Sequence, residues 1–150
     1  MAIVVHMRPS VTSGRPYGAA QARVFLDRVL PVAPDVPIQI AHLAGAGGYD
    51  DLATDQALSV FVEAIAKADT RMAHVYFDVS GVAGIGQWMD KSSLITARIR
   101  QLGIRRVLYG SDGAAGGNLR PREAWAAFRQ LPLSETEFAT IASNVAPYMR

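Results

Sequence analysis

The sequence predicts an α/β fold in which four strand–helix pairs build a parallel sheet. Three observations predict it. Short apolar runs rich in β-branched residues alternate with longer runs of helical period. The polar residues that end the short runs, His6, His42, Asp78 and Asp112, recur at intervals of 36, 36 and 34 positions, and a strand–helix–strand unit needs about 30 residues or more. The chain has 150 residues, 50% hydrophobic and 19% charged, enough for one core, so residues 1–150 read as a single domain.

The elements follow in order. "AIVVHM" is short and β-branched, the pattern of a buried strand. "AAQARVFLDRVLPVA" carries Val24, Leu26, Val29 and Leu30 at helical spacing and ends near Pro31 and Pro34. "VPIQIAHL" is the second strand. "DQALSVFVEAIAKA" places Leu58, Phe61, Val62 and Ile65 on one helical face, with Thr54 or Asp55 as its expected N-cap. "MAHVYFDVSG" is the third strand, and "SSLITARIRQLG" is a helix stopped by Gly103. "RRVLYGSD" is the fourth strand. Pro121 opens the helix "PREAWAAFRQL". Ser134 and Glu137 form a capping box ahead of the last helix.

Composition excludes several classes. The net charge is +2 and the basic residues are scattered, which is no nucleic-acid footprint. There is no cysteine, so neither a disulfide framework nor a thiolate metal site exists. No run approaches the roughly 20 apolar residues of a membrane span, and the opening "MAIVVHMRPS" does not resemble a secretory leader. A cytoplasmic protein without nucleic-acid or membrane partners is expected.

Four consecutive strands ending in ionisable groups point to a site, because ligands of parallel α/β folds bind at the carboxyl ends of strands. His6 and Arg8, His42, Asp78 and Ser80, and Asp112 share that location. His74 begins its strand and belongs at the opposite, structural end. Neutral imidazoles and carboxylates suit zinc and similar ions. A carboxylate beside a metal-bound water suits proton acceptance, and Arg8, two positions beyond His6, suits a substrate carboxylate. Each residue also has a plain structural role open to it. A strand-end histidine is often a hydrogen-bonded core residue, Asp78 suits bonding a loop amide, and Asp112 suits a turn or cap. The loops "AGAGGYDD" and "SGVAGIG" carry neither the phosphate-loop lysine–serine pattern nor the dinucleotide glycine spacing.

The strand ends "VVHMR", "IAHLAGAGG", "YFDVSG" and "LYGSDGAAGGN", in this order, with the closing "NVAPYMR", resemble the second half of the amidohydrolase-related family of metal-dependent hydrolases and decarboxylases. The resemblance implies half of a TIM-type (β/α)8 barrel: four strands, each followed by its helix. It implies His6 as a metal ligand, His42 as a catalytic histidine, and Asp112 as both metal ligand and catalytic proton acceptor. Arg8, Asp78 and Ser80 are then expected to bind substrate, a small carboxylated lactone, ester or amide. The implied cofactor is a divalent metal, zinc or manganese. The family's first-strand His-x-His pair has no counterpart here, and a full barrel takes about 250 residues. A half barrel leaves open edges and an apolar inner face, so a homo-oligomer, or a partner carrying the other half, is expected. Two alternatives stand beside this reading. One is an inactive half-barrel fragment or a split-enzyme subunit. The other is an open-sheet, small-anion-binding module with helices on both faces.

Overall fold

Four parallel strands form one sheet whose spatial order repeats the chain order: β1 (Ile3–Val5), β2 (Ile38–Ile40), β3 (Val75–Asp78) and β4 (Val107–Leu108). The computed structural model describes residues 2–7, 16–46, 48–49, 51–82, 89–113, 119–146 and 149. Among the described residues five α-helices accompany the strands: α1 (Ala19–Val24), α2 (Leu52–Ala66), α3 (Ser92–Leu102), α4 (Pro121–Phe128) and α5 (Glu135–Ser143). The chain is α/β with an all-parallel sheet, as its alternating pattern predicts.

The register sorts the strand residues onto two faces. Ile38, Ile40, Val75, Phe77 and Val107 are all buried on one face. Phe61 of α2 meets Phe77 edge-on at 5.8 Å and Phe25 at 6.3 Å, which fixes this as the helix-covered face. Tyr109 extends it into a cluster with Trp125, Phe128 and Phe138 of α4 and α5. The buried phenylalanines of these contacts each contribute about 1.5–3 kcal/mol of transfer free energy, while Tyr109 and Trp125 are half-buried. The other face carries Val4, Gln39 and Tyr76 side by side, followed by Asp78 and Leu108. Val4 is 52% exposed, and Gln39 and Tyr76 are half-buried. The expectation of an apolar inner face is thus corrected: glutamine, tyrosine and aspartate interrupt it, because Gln39 is needed there as a donor to Asp78.

Several helix signals hold. Gly103 ends α3 at φ 90, Pro121 opens α4, and Ser134 with Glu137 completes the capping box of α5. The N-cap of α2 differs. It is Asp51, whose side chain accepts from the Ala53 N–H at 2.8 Å, while Asp55 is drawn into an ion pair with Arg98. The first predicted helix is α-helical only to Val24, continues as a π-helical stretch Phe25–Val29, and ends in a 3-10 turn at Leu30–Val32 around Pro31. The strands are shorter than their apolar runs. Arg105 and Arg106 lie in a 3-10 turn ahead of β4, and Arg106 donates to the carbonyls of Met72 and Val75.

Among the described residues neither outer strand pairs with a further strand, and at β4 a side chain occupies that side. Leu108 gives its carbonyl to Val79 of the neighbouring segment. The Val107 carbonyl accepts instead from the Asn144 amide at 2.7 Å, and that amide also reaches the Ile104 carbonyl at 2.8 Å. A side chain at the end of α5 therefore occupies the edge that a further strand would use. Among the described residues, no helix is long and apolar enough to cross a membrane.

Candidate functional site at the strand ends

The site begins with β2. After Ile40 the chain does not run on as a strand but turns through three consecutive left-handed residues, His42 (φ 53), Leu43 (φ 47) and Ala44 (φ 66). None is glycine, and such residues cost about 1–3 kcal/mol each unless their surroundings over-determine them. The surroundings do so. The His42 N–H donates to Asp78 Oδ1 at 3.0 Å, and the Gly45 N–H closes the turn on the His42 carbonyl at 2.9 Å. The Tyr17 hydroxyl donates to the Ala44 carbonyl. Burial pushes the Tyr17 phenol well above its ordinary range, so it remains a donor.

Asp78 is the hub. It ends β3, is 4% exposed, and receives a donor at each oxygen. Oδ1 accepts from the His42 N–H, the Ser80 N–H at 3.1 Å and the Ser80 hydroxyl. Oδ2 accepts from the Gln39 amide at 2.6 Å. The role of bonding loop amides, open to Asp78 from sequence, is the one its contacts fill. Ser80 is likewise buried and turned inward, with its carbonyl 2.5 Å and its hydroxyl oxygen 3.2 Å from His42 Nδ1.

His42 itself is buried, and its ring meets the ring of His6 edge-on, with centroids 4.8 Å apart. His6 follows β1 directly and is exposed. The two strand-end histidines are thus in contact. Asp112 lies four positions beyond β4, exposed, in the left-handed region at φ 56. Its segment approaches the others through Gly110, where an added Cβ would stand 3.1 Å from Ser80 Cβ. His74 is exposed at the amino end of β3, the opposite end, as its position predicts. Arg8 lies outside the described residues.

Two supports of the site are invisible to motif reading. Gln39 shows only as a polar residue inside "IQI". The loop after His42 is clamped by Tyr49, whose hydroxyl donates to Asp55 Oδ1 at 2.7 Å. Arg98 of α3 holds the same carboxylate through Nε at 2.8 Å and Nη2 at 2.7 Å, and reaches Ser59 Oγ at 2.8 Å. The guanidinium holds the Asp55 carboxyl below its usual range, and burial pushes the Tyr49 phenol up. A further tie runs from the Gly48 N–H to the Gly81 carbonyl at 2.7 Å, joining the loops after β2 and β3.

The donor set tests the implied metal. Among the described residues no group of three or more histidine, aspartate or glutamate side chains converges to hold an ion, and catalytic zinc takes three protein ligands. The described residues do not complete a metal site by themselves. Comparisons with family models, with curated proteins and with solved structures find no match.

Proposed function

We propose that the chain is the C-terminal half of an amidohydrolase-type hydrolase, a (βα)4 half of a TIM-type barrel. It acts on a small carboxylated lactone, ester or amide. One observation carries the reading: His6 and His42 follow adjacent parallel strands and touch, with ring centroids 4.8 Å apart. Strand ends are where this class of fold gathers its chemistry. The sequential strand order, and a second face on which Val4 is 52% exposed and which carries no helix among the described residues, favour a half barrel over an open sheet with helices on both sides.

In this reading Asp112 accepts the proton of the attacking water, and His42 moves a proton to or from the substrate. Arg8 holds the substrate carboxylate, while Asp78 and Ser80 hold His42. A divalent metal, zinc or manganese, would supply a more acidic water. His6 and Asp112 would be this chain's donors to it. A second copy covers the half barrel by docking on edge strand β1 and the open face, where Val4 is 52% exposed. The β4 edge is closed to it by Asn144. The cytoplasm is the proposed location.

The test is a panel of carboxylated lactones, esters and anilides, with and without zinc or manganese. Metal-stimulated turnover that disappears in His42→Ala supports the proposal. No turnover across the panel overturns it in favour of a non-catalytic module.

A further inference from the structure

The contacts around His42 fix more than its position. Its Nδ1 lies 2.5 Å from the Ser80 carbonyl oxygen, a group that only accepts, so Nδ1 carries the proton. The Ser80 hydroxyl offers no competing proton, because it donates its own to Asp78 Oδ1. Its oxygen, 3.2 Å from Nδ1, faces the same N–H as a second acceptor. With Nδ1 protonated, the neutral ring keeps its lone pair on Nε2. The ring nitrogens and the backbone N–H of His42 are thus referred to one framework, the segment Asp78–Ser80. Asp78 Oδ1 accepts from both the His42 N–H and the Ser80 N–H, and so ties the His42 backbone to that segment. Gln39 pins the other oxygen and so stops the carboxylate from turning.

We infer that Asp78 is a positioning residue, not a substrate ligand. It locks His42 in a left-handed turn as the single Nδ1–H tautomer, and so makes Nε2 the working nitrogen. The inference rests on the hydrolase reading for the use of that nitrogen and deepens it by naming which nitrogen exchanges the proton; the tautomer itself is measured without substrate.

The experiment is nitrogen-15 NMR of the histidine rings in the full chain, in mildly alkaline buffer. In the wild type His42 is expected to show a protonated Nδ1 and a bare Nε2. An Nε2–H ring, or an even mixture, overturns the inference. In Asp78→Asn the charge is lost and the new amide meets the Gln39 amide, so the two nitrogen shifts are expected to move toward each other as tautomers mix. Unchanged shifts in this folded variant also overturn it. Ser80→Ala keeps the carbonyl and the N–H, and should keep the wild-type tautomer; a flipped tautomer there refutes the role given to the carbonyl. If hydrolysis is found, Asp78→Asn should lower kcat about tenfold through misplacement and leave KM unchanged. A tautomer as described with no hydrolysis on any substrate sinks the functional reading alone.

Discussion

Replacing Asp55 with alanine removes the anchor of the loop that follows His42. Asp55 accepts from Tyr49 and twice from Arg98, and the ion-pair side chains are 21% and 17% exposed. A hydrogen bond to a charged group contributes about 1.5–3 kcal/mol. The three do not add, because water reaches part of the pair and Arg98 keeps Ser59 and Gln101 as partners. The variant also leaves the Tyr49 hydroxyl buried without its acceptor. The expected cost is about 2–3 kcal/mol, read as a lower urea midpoint at unchanged slope. The pH dependence gives a second check. The folded state holds Asp55 below its ordinary pKa, so its contribution is present above the ordinary carboxylate range and is lost as pH falls through the depressed value. Wild type and variant should therefore differ most near neutrality and converge in acid. Tyr49 is shifted up, so the wild type should also lose stability as pH rises beyond about 10, where unfolded tyrosine ionises. A loss under about 0.5 kcal/mol at neutral pH, the level of a plain surface change, would refute the clamp.

Three further outcomes are expected. Gly45→Ala places a methyl 2.9 Å from Thr54 Cγ2 and 3.1 Å from the His42 carbonyl; it should cost about 1–3 kcal/mol in urea unfolding, as overpacking does. Asn144→Ala frees the Val107 and Ile104 carbonyls; it should cost about 1–2 kcal/mol and raise the apparent mass in light scattering with concentration, by opening the β4 edge. The wild type should elute as a dimer that Val4→Lys dissociates, and a wild-type monomer at micromolar concentration would remove the second copy from the account.

The strand–helix alternation and the strand-end positions were legible because they depend on local pattern. The capping box at Ser134, Pro121 at a helix start and Gly103 at a helix end depend on neighbours within a few residues, and each stands where its pattern placed it. The sequence places the N-cap of α2 at Thr54 or Asp55, and it lies at Asp51, because Asp55, an equally suitable acidic residue near the helix start, is engaged elsewhere. What divides their roles is Arg98, 43 positions from Asp55. The left-handed turn at His42–Ala44 has no glycine to announce it, and is imposed by Asp78, Ser80 and Tyr17 from other segments. For the same reason the sequence presents Asp78 as a group available to substrate, whereas four donors from Gln39, His42 and Ser80 occupy it. The strands shrank because their flanks serve other bonds, as Arg106 does below β3.

The central claim is that the strand-end residues act together as one hydrolytic site. Its most direct measurement is kcat/KM for the best lactone or ester with zinc or manganese present, in wild type and in the His6→Ala/Asp112→Ala double variant. The account predicts metal-stimulated hydrolysis in the wild type and a fall of about 1,000-fold or more in the folded double variant, the scale of losing a general base with its water. Turnover that survives the double substitution would contradict it.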